Sequence, residues 1–126
     1  MLLLPENPDR SAEALRRGLA AVTGIDVAVV INDSFGRPWR QGTASVAIGV
    51  AGLPALIDLR GRPDLFGRRL EASVIGFADE VAAAASLLMG QADEALPADL
   101  IRGLRWSAPE STAASIIRAS NEDLFR

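Results

Sequence analysis

The residues of this chain that could do chemistry are concentrated where an apolar run gives way to polar side chains. Residues 27–31 read Val-Ala-Val-Val-Ile, a β-branched run typical of a strand buried on both faces. Residues 32–34 read Asn-Asp-Ser, and the glycines and proline that follow predict a loop. Because open α/β sheets bind ligands outside the carboxyl ends of their strands, this stretch is the foremost candidate for a site.

Asp33 and Ser34 offer a carboxylate and a hydroxyl side by side. In magnesium–nucleotide sites a carboxylate neutralises part of the cation's charge, and a hydroxyl adds a compact neutral ligand. Phosphoryl transfer needs such an arrangement because negative charge must be held and spread. The alternative is an Asx turn at the end of the strand, a common structural feature. The local residues leave both interpretations open.

Arg37 and Arg40 lie three residues apart with Trp39 between them. Guanidinium groups make bidentate contacts with phosphate or carboxylate, so the pair is a candidate for catalysis. If acids elsewhere in the chain pair with them, the two arginines are ordinary surface residues. Trp39 could stack on a planar ligand, although filling a hydrophobic gap is the favoured expectation.

Composition narrows the possible chemistry. At 126 residues the chain is one domain or a piece of one, and its net charge of −3 gives no reason to expect nucleic acid or an anionic membrane as partner. Cysteine and histidine are absent, so a metal would be held by oxygen, which favours magnesium, manganese or calcium. No apolar run is long enough for a membrane span, and residues 1–4 lack the features of a signal peptide. We therefore expect a cytoplasmic protein whose core rests on its Leu, Ile and Val runs.

Boundary signals predict the elements that must position these side chains. One helix is expected between the capping residues 7–9 and Gly24, and another over residues 76–89, before Gly90. A capping box at residues 107–110 predicts a third, ending near Arg118. Strands are expected at residues 27–31, 43–51, 53–59, 70–75 and 98–104, with a close-packed Gly/Ala turn as the alternative for 43–51. Residues 1–5 are expected to form an entry strand or an extended segment. The expected fold class is α+β (mixed α/β), a small mixed sheet flanked by about three helices.

Three groups of residues in combination resemble the coenzyme F(420)-0:L-glutamate ligase family. They are residues 32–40 (NDSFGRPWR), 46–52 (VAIGVAG) and 89–93 (MGQAD). The opening LPENPD at 4–9 and the closing NEDLFR at 121–126 are similar as well. The likeness thus extends over essentially the whole chain, and the fold would be part of the ligase fold.

The resemblance implies a GTP-dependent ligase that adds L-glutamate to the deazaflavin precursor coenzyme F(420)-0, with γ-linkage in later additions. Such enzymes use magnesium or manganese, together with potassium, and are typically homodimers. The substrate carboxylate would be activated as an acyl phosphate, which the glutamate amine then attacks.

The resemblance also implies roles for particular residues. Asp33 would hold the first divalent ion and Ser34 the second, with the Gln91 amide near the second ion. Arg37 and Arg40 are assigned to phosphate or acyl-phosphate contacts by their chemistry and not by the resemblance. The residues expected along GTP are Met89, Gly90, Gln91, Ala92, Asp93, Glu94, Ala95 and Leu96.

One departure from the family is large. Members are about twice this long, and the part without a counterpart here is N-terminal and carries another metal-binding aspartate. Residues 1–126 are therefore expected to form a partial, C-terminal ligase domain, weak or inactive alone. The alternative is a non-catalytic remnant that keeps nucleotide and metal binding or the dimer surface. Whether the other half is encoded elsewhere is left open.

Overall fold

A β-hairpin held between two helices forms the body of the molecule. The computed structural model describes residues 4–37 and 39–123. The elements in chain order are α1 (Pro8–Thr23), β1 (Val29–Gly36), β2 (Thr43–Ala51), β3 (Ile57–Asp58), β4 (Val74–Ile75), α2 (Phe77–Met89) and a short 3-10 helix, η1 (Ala113–Ile116). The strands pair as two antiparallel two-stranded sheets, β1 with β2 and β3 with β4. The α+β class is confirmed, with separate antiparallel pairs in place of one mixed sheet.

Helix α1 begins and ends where its boundary residues predict. The Asn7 side chain accepts a hydrogen bond from the backbone N–H of Arg10 at 2.9 Å, which satisfies one of the N–H groups without a partner in the first turn. At the other end Gly24 adopts a left-handed φ of 71° and donates its N–H to the Ala20 carbonyl. A residue with a Cβ would be strained there.

Strand β1 differs from its prediction in length and in environment. It continues through Gly36 because β2 pairs with it along its whole length, from Val29 opposite Ala51 to Gly36 opposite Thr43. Its first four residues are half-buried and its last four are exposed, so the expectation of a strand buried on both faces was wrong. The predicted strand at residues 43–51 is confirmed as β2.

The two helices cover opposite faces of the hairpin. A Cβ added to Gly49 would overlap the Pro8 backbone, so α1 lies directly against that face. Val50, the next residue along β2, belongs to the core cluster that includes Ala78 and Ala82 of α2. Successive residues of a strand point to opposite faces, which gives three layers: α1, the hairpin and α2.

The core is built mainly from alanine. Val50 and Leu53 are its only large buried aliphatic residues among those described, and the others are Ala12, Ala47, Ala51, Ala55, Ala78, Ala82 and Ala113. The predicted reliance on Leu, Ile and Val runs was therefore wrong. On α1, Leu15 and Leu19 are exposed. Small side chains allow the helices to lie very near the hairpin, and the larger aliphatic groups are left at the surface.

Carboxylates at the first turns of both helices hold the free edge of β2. Asp9 Oδ1 accepts from the backbone N–H groups of Val50 and Ala113, both at 2.8 Å. Asp79 Oδ1 accepts from Ala47 N–H at 2.9 Å. These bonds satisfy backbone donors that no neighbouring strand pairs, and they connect α1, β2 and η1.

The other predicted strands and the third predicted helix are shorter than expected or absent from the described residues. The strands expected at residues 53–59 and 70–75 are reduced to the two-residue pair β3 and β4. Residues 98–104 form no strand, and the helix predicted from the capping box at 107–110 is replaced by extended chain and η1. The entry strand at residues 1–5 falls partly outside the described residues, and Leu4 and Pro5 have no regular structure. None of the helices in the described ranges has the length and apolar content needed to cross a bilayer.

Candidate functional site

Asp33 and Ser34 lie within strand β1 and not on a loop beyond it. Both are exposed, and as consecutive residues of a strand they point to opposite faces of the hairpin. Asp33 Oδ1 accepts the Ser34 backbone N–H at 2.8 Å, a short-range bond of the kind that an Asx arrangement makes. On opposite faces, the two side chains do not converge on one point.

The polar end of β1 lies beside the C-terminal end of α2. Asn32 Nδ2 is 3.9 Å from Met89 Sδ, across 57 residues of sequence. Because residues alternate between faces, Ser34 shares with Asn32 the face directed toward α2, and Asp33 belongs to the other face. The structure thus brings Met89, the last residue of α2, next to Asn32.

The turn after α2 is closed by one of its own acids. The Glu94 carboxylate accepts the Ala92 backbone N–H at 2.8 Å, and this bond lowers the pKa of Glu94 below its ordinary value. Gly90 has φ 71°, and a Cβ there would overlap the Glu94 carboxylate. Residues 91–96 are all exposed. The segment predicted to lie along GTP is accessible to a ligand.

Arg37 and Arg40 lie in the connection between β1 and β2. Together with Gln41, Gly42, Thr43 and Ala44 they line a depression of about 220 Å³. The ion pairs found in the described part of the chain engage Arg16, Arg17, Arg60 and Arg68, and neither Arg37 nor Arg40. The two guanidinium groups are therefore available to an anion from solution.

Trp39, between the two arginines, does not fill a hydrophobic gap. It is 92% exposed and has a left-handed φ of 58°, which is uncommon for a residue with a bulky side chain. The expectation that it packs into the protein was wrong. Stacking on a planar ligand, the alternative for this residue, stays a prediction.

The oxygen donors present suit a divalent cation only in part. A carboxylate, a hydroxyl and an amide carbonyl, from Asp33, Ser34 and Gln91, are hard ligands of the kind that magnesium and manganese accept. The described residues nevertheless contain no group of three or more acidic, histidine or cysteine side chains arranged to hold a metal ion. A tightly held ion would need further ligands from water, nucleotide phosphates or another polypeptide.

Sequence reasoning overlooked a second concave region, which is lined in part by residues of β3 and β4. A groove of about 430 Å³ is lined by Ile57, Leu59, Arg62, Ile75, Arg105, Trp106 and Ser107. These residues come from three separate stretches of the chain, so no contiguous motif marks the groove. Of these residues, Ser107 was interpreted as the start of the capping box, and Arg105 and Trp106 carried no signal of their own.

In the described ranges, the structure has oxygen donors at the tip of β1, an exposed turn after α2, and two arginines, Arg37 and Arg40, that form no ion pair. The sequence model of the family described as F420-0:Gamma-glutamyl ligase matches residues 1–103. The chain belongs to this family. The resemblance found in the sequence is thereby confirmed.

Curated relatives share this similarity over nearly all of the chain. Similar proteins include a coenzyme F420:L-glutamate ligase from Methanococcus maripaludis, 50% identical over 98% of this chain and 50% of its own length. Another comes from Methanopyrus kandleri, 48% identical over 100% of this chain and 52% of its own. A third, from Methanothermobacter thermautotrophicus, is 49% identical over 98% and 50%. The chain spans about half the length of these relatives.

Proposed function

We propose that the chain is part of a GTP-dependent ligase that adds L-glutamate to the deazaflavin precursor coenzyme F420-0, by γ-linkage in later additions. Membership of the ligase family supports this function. The observation that connects this function to a site is the distance of 3.9 Å between Asn32 Nδ2 and Met89 Sδ. It joins two of the three groups of residues on which the resemblance rests, although they lie far apart in sequence.

Divalent magnesium or manganese would be held at the polar end of β1. Asp33 is proposed for one ion, and Ser34 with Gln91 for a second, since strand alternation separates Asp33 from Ser34. When bound, such ions neutralise phosphate charge and polarise phosphoryl oxygens. The family resemblance adds potassium, to which we assign no residue.

GTP is proposed to lie along residues 89–96, with its phosphates directed toward the β1–β2 connection. A substrate carboxylate oxygen would attack the γ-phosphorus, GDP would leave, and the glutamate amine would then displace phosphate from the acyl carbon. Arg37 and Arg40 would bind the transferring phosphoryl group, because no described acid occupies their guanidinium groups. This is stabilisation by position and charge, the main requirement of phosphoryl transfer.

A second polypeptide unit is part of the proposal. The chain spans about half the length of its relatives, and α1 exposes Leu15, Leu19 and Val22. Exposed apolar side chains on one helix are typical of a surface that is covered in an assembly. We propose that the other half of the ligase, or a second copy in a homodimer, contributes here and supplies further metal ligands.

Reconstitution tests the ligase function. The chain is incubated with GTP, manganese, L-glutamate and F420-0, with and without the other half of a relative such as the M. maripaludis ligase. We expect GDP and a product heavier by one glutamyl residue only when the other half is present, and little turnover by the chain alone. No product in the complete mixture would refute the proposal.

Calorimetry tests the site separately. Manganese-dependent binding of GTP to the chain is expected to be weak and to disappear in Asp33→Ala. Asp99→Ala, which removes an exposed carboxylate from residues 98–104, is the matched control and should bind as the unaltered chain does. Equal loss in both variants would show a general charge effect and not a site.

The second candidate function is a non-catalytic module that keeps the fold and an assembly surface. The lack of a cluster of three acidic ligands in residues 4–37 and 39–123 favours it. It predicts no product after the other half is added. Manganese-dependent binding of GTP is kept if the module still binds nucleotide and is absent if only the assembly surface remains. The two experiments together therefore separate the candidates.

A further inference from the structure

Backbone N–H groups converge on one carboxylate in the turn after α2. The Glu94 side chain bends back over this turn and accepts the Ala92 N–H at 2.8 Å. Hydrogen bonding from the N–H groups of Ala92, Glu94 and Gln91 keeps the pKa of the Glu94 carboxyl below its ordinary value. Neighbouring N–H groups that point into a turn form a concave site for an anion. The anion that occupies this site is a side chain of the turn itself.

Gly90 makes room for that side chain. The Glu94 carboxylate lies so near Gly90 that an added Cβ would overlap it. Gly90 also has a φ of 71°, which glycine adopts without steric cost. The carboxylate is therefore seated against the backbone of the turn, although residues 91–96 are exposed as a whole.

No cationic side chain accounts for the position of Glu94. Residues 77–101 contain neither lysine nor arginine, and the ion pairs of the described residues do not include Glu94. The carboxylates of Asp26, Asp58 and Asp64, in contrast, each pair with an arginine. The turn thus offers an anion its backbone N–H groups, and Glu94 already uses them.

The closed turn is held against two opposing terms. Ala95, the residue after Glu94, has a φ of 54°, in the left-handed region that is unfavourable for a residue with a Cβ. The C-terminal end of α2 carries partial negative charge, which disfavours any anion beside it. Both terms reduce the preference for the closed arrangement. A ligand that binds the same N–H groups can therefore shift the turn to an open one, with Glu94 directed into solvent.

We propose that Glu94 is an internal inhibitor of the nucleotide site: its carboxylate occupies N–H groups that bind a phosphate group of GTP, and it must be displaced when the nucleotide binds. The inference rests on the proposed function, which places GTP along residues 89–96. A terminal phosphate suits these donors better than a second carboxylate, because it carries more negative charge and three accepting oxygens.

Displacement of Glu94 sets the apparent affinity for phosphate. A site that is open for only a fraction of the time binds its ligand more weakly by that fraction. One charge-assisted hydrogen bond corresponds to about a tenfold preference for the closed turn. Removing the Glu94 charge should therefore strengthen phosphate binding by about tenfold.

An NMR titration of the whole chain with inorganic phosphate tests the proposal. The backbone amide signals of residues 91, 92 and 94 should shift along one saturation curve. Glu94→Gln keeps the size of the side chain and should reach half-saturation at about tenfold lower phosphate concentration. Asp93→Asn removes one charge from the same turn without vacating the N–H groups, and should strengthen binding by less than about threefold. L-glutamate, which offers carboxylates and no phosphate, should leave these signals unmoved at the same concentrations.

A second measurement needs no variant. In the unaltered chain, the ¹³C signal of the Glu94 carboxyl should move as phosphate saturates the amides, since the carboxylate then loses its N–H partners. The amide spectra of Glu94→Gln and Asp93→Asn show whether the fold is kept.

Contrary results are distinct. Equal or weaker phosphate binding by Glu94→Gln, equal strengthening in Asp93→Asn, amide shifts confined to other parts of the chain, or a constant Glu94 carboxyl signal would each overturn the proposal. A response to L-glutamate equal to that to phosphate would overturn the assignment of the anion.

Calorimetry with GTP and manganese separates this inference from the proposed function. Equal GTP affinity in the unaltered chain and in Glu94→Gln would refute the inhibitor alone. Stronger phosphate binding by Glu94→Gln, with no GTP binding in either form, would refute the proposed nucleotide and leave the inhibited anion site in place.

Discussion

Glycine and aspartate residues occur at both ends of the β1–β2 hairpin, but they differ in burial and in hydrogen bonding. At the base, Gly49 and Val50 are buried between helices, and the nearby Asp9 carboxylate is surrounded by backbone N–H groups. At the tip, Asp33 and Gly36 are exposed, and Asp33 accepts one hydrogen bond, from its own neighbour. An aspartate is structural where it replaces the partner of a buried donor, and is available for ligands where it does not.

The largest effect expected from this difference is on stability. Asp9→Ala removes the acceptor of three backbone N–H groups, those of Val50, Ala113 and Ala114. We expect a loss of about 3 kcal/mol in the free energy of unfolding. The matched change Asp33→Ala should cost less than about 0.5 kcal/mol, since the side chain is exposed. Urea denaturation measures both, and similar losses would show that the two aspartates do not differ in role.

The glycines of the hairpin allow a second comparison. Gly49→Ala places a methyl group against the Pro8 backbone and should lower the free energy of unfolding by about 1–3 kcal/mol through overpacking. Gly36→Ala meets no atom within 4 Å and should leave stability unchanged or raise it by less than about 1 kcal/mol. Thermal unfolding of the two variants checks this. A destabilised Gly36→Ala would mean that the tip is more closely packed than the structure shows.

A carboxylate outside the hairpin has the smallest effect on the whole molecule. The Arg60 side chain, by hydrogen bonding, lowers the pKa of Asp58 from 3.8 to about 2. Because the folded pKa is below the unfolded one, the stabilisation is present above about pH 3.8 and is lost as the pH falls toward 2. An NMR titration of the Asp58 carboxyl should have a midpoint near 2, and Arg60→Gln should raise it. An unchanged midpoint in that variant would exclude the Arg60 side chain as the cause.

Elements whose signals are local were predicted well. Helix α1 follows from its capping residues and from Gly24, since capping depends on side chains within a few positions of the helix end. The capping box at 107–110 has the same kind of signal and failed. The segment makes tertiary hydrogen bonds in place of a helix. Ser111 donates its backbone N–H to the Leu53 carbonyl, and its hydroxyl accepts from Ala55 N–H at 2.8 Å. A tertiary partner outcompeted the local preference.

The candidate site was predicted by residue type more than by geometry. Asp33 and Ser34 were expected on a loop, because polar residues followed by glycine and proline are typical of loops. The partner strand β2 pairs with this stretch, so the strand continues and separates the two side chains onto opposite faces. The groove with Arg62 and Trp106 was not predicted, because its residues meet only after β3, β4 and the segment at 105–107 come together.

The order of residues by itself determined the boundaries of α1 and α2, the extent of β2, the lack of thiolate and imidazole chemistry, and the family. Each of these depends on residue identity or on neighbours within one or two turns. Only the tertiary structure decided which face of β1 carries each polar side chain and which aspartates accept hydrogen bonds from distant backbone N–H groups. It also decided which of the described arginines form no ion pair. Those properties depend on contacts between residues tens of positions apart, such as Asn32 with Met89 and Asp9 with Ala113, which no local pattern encodes.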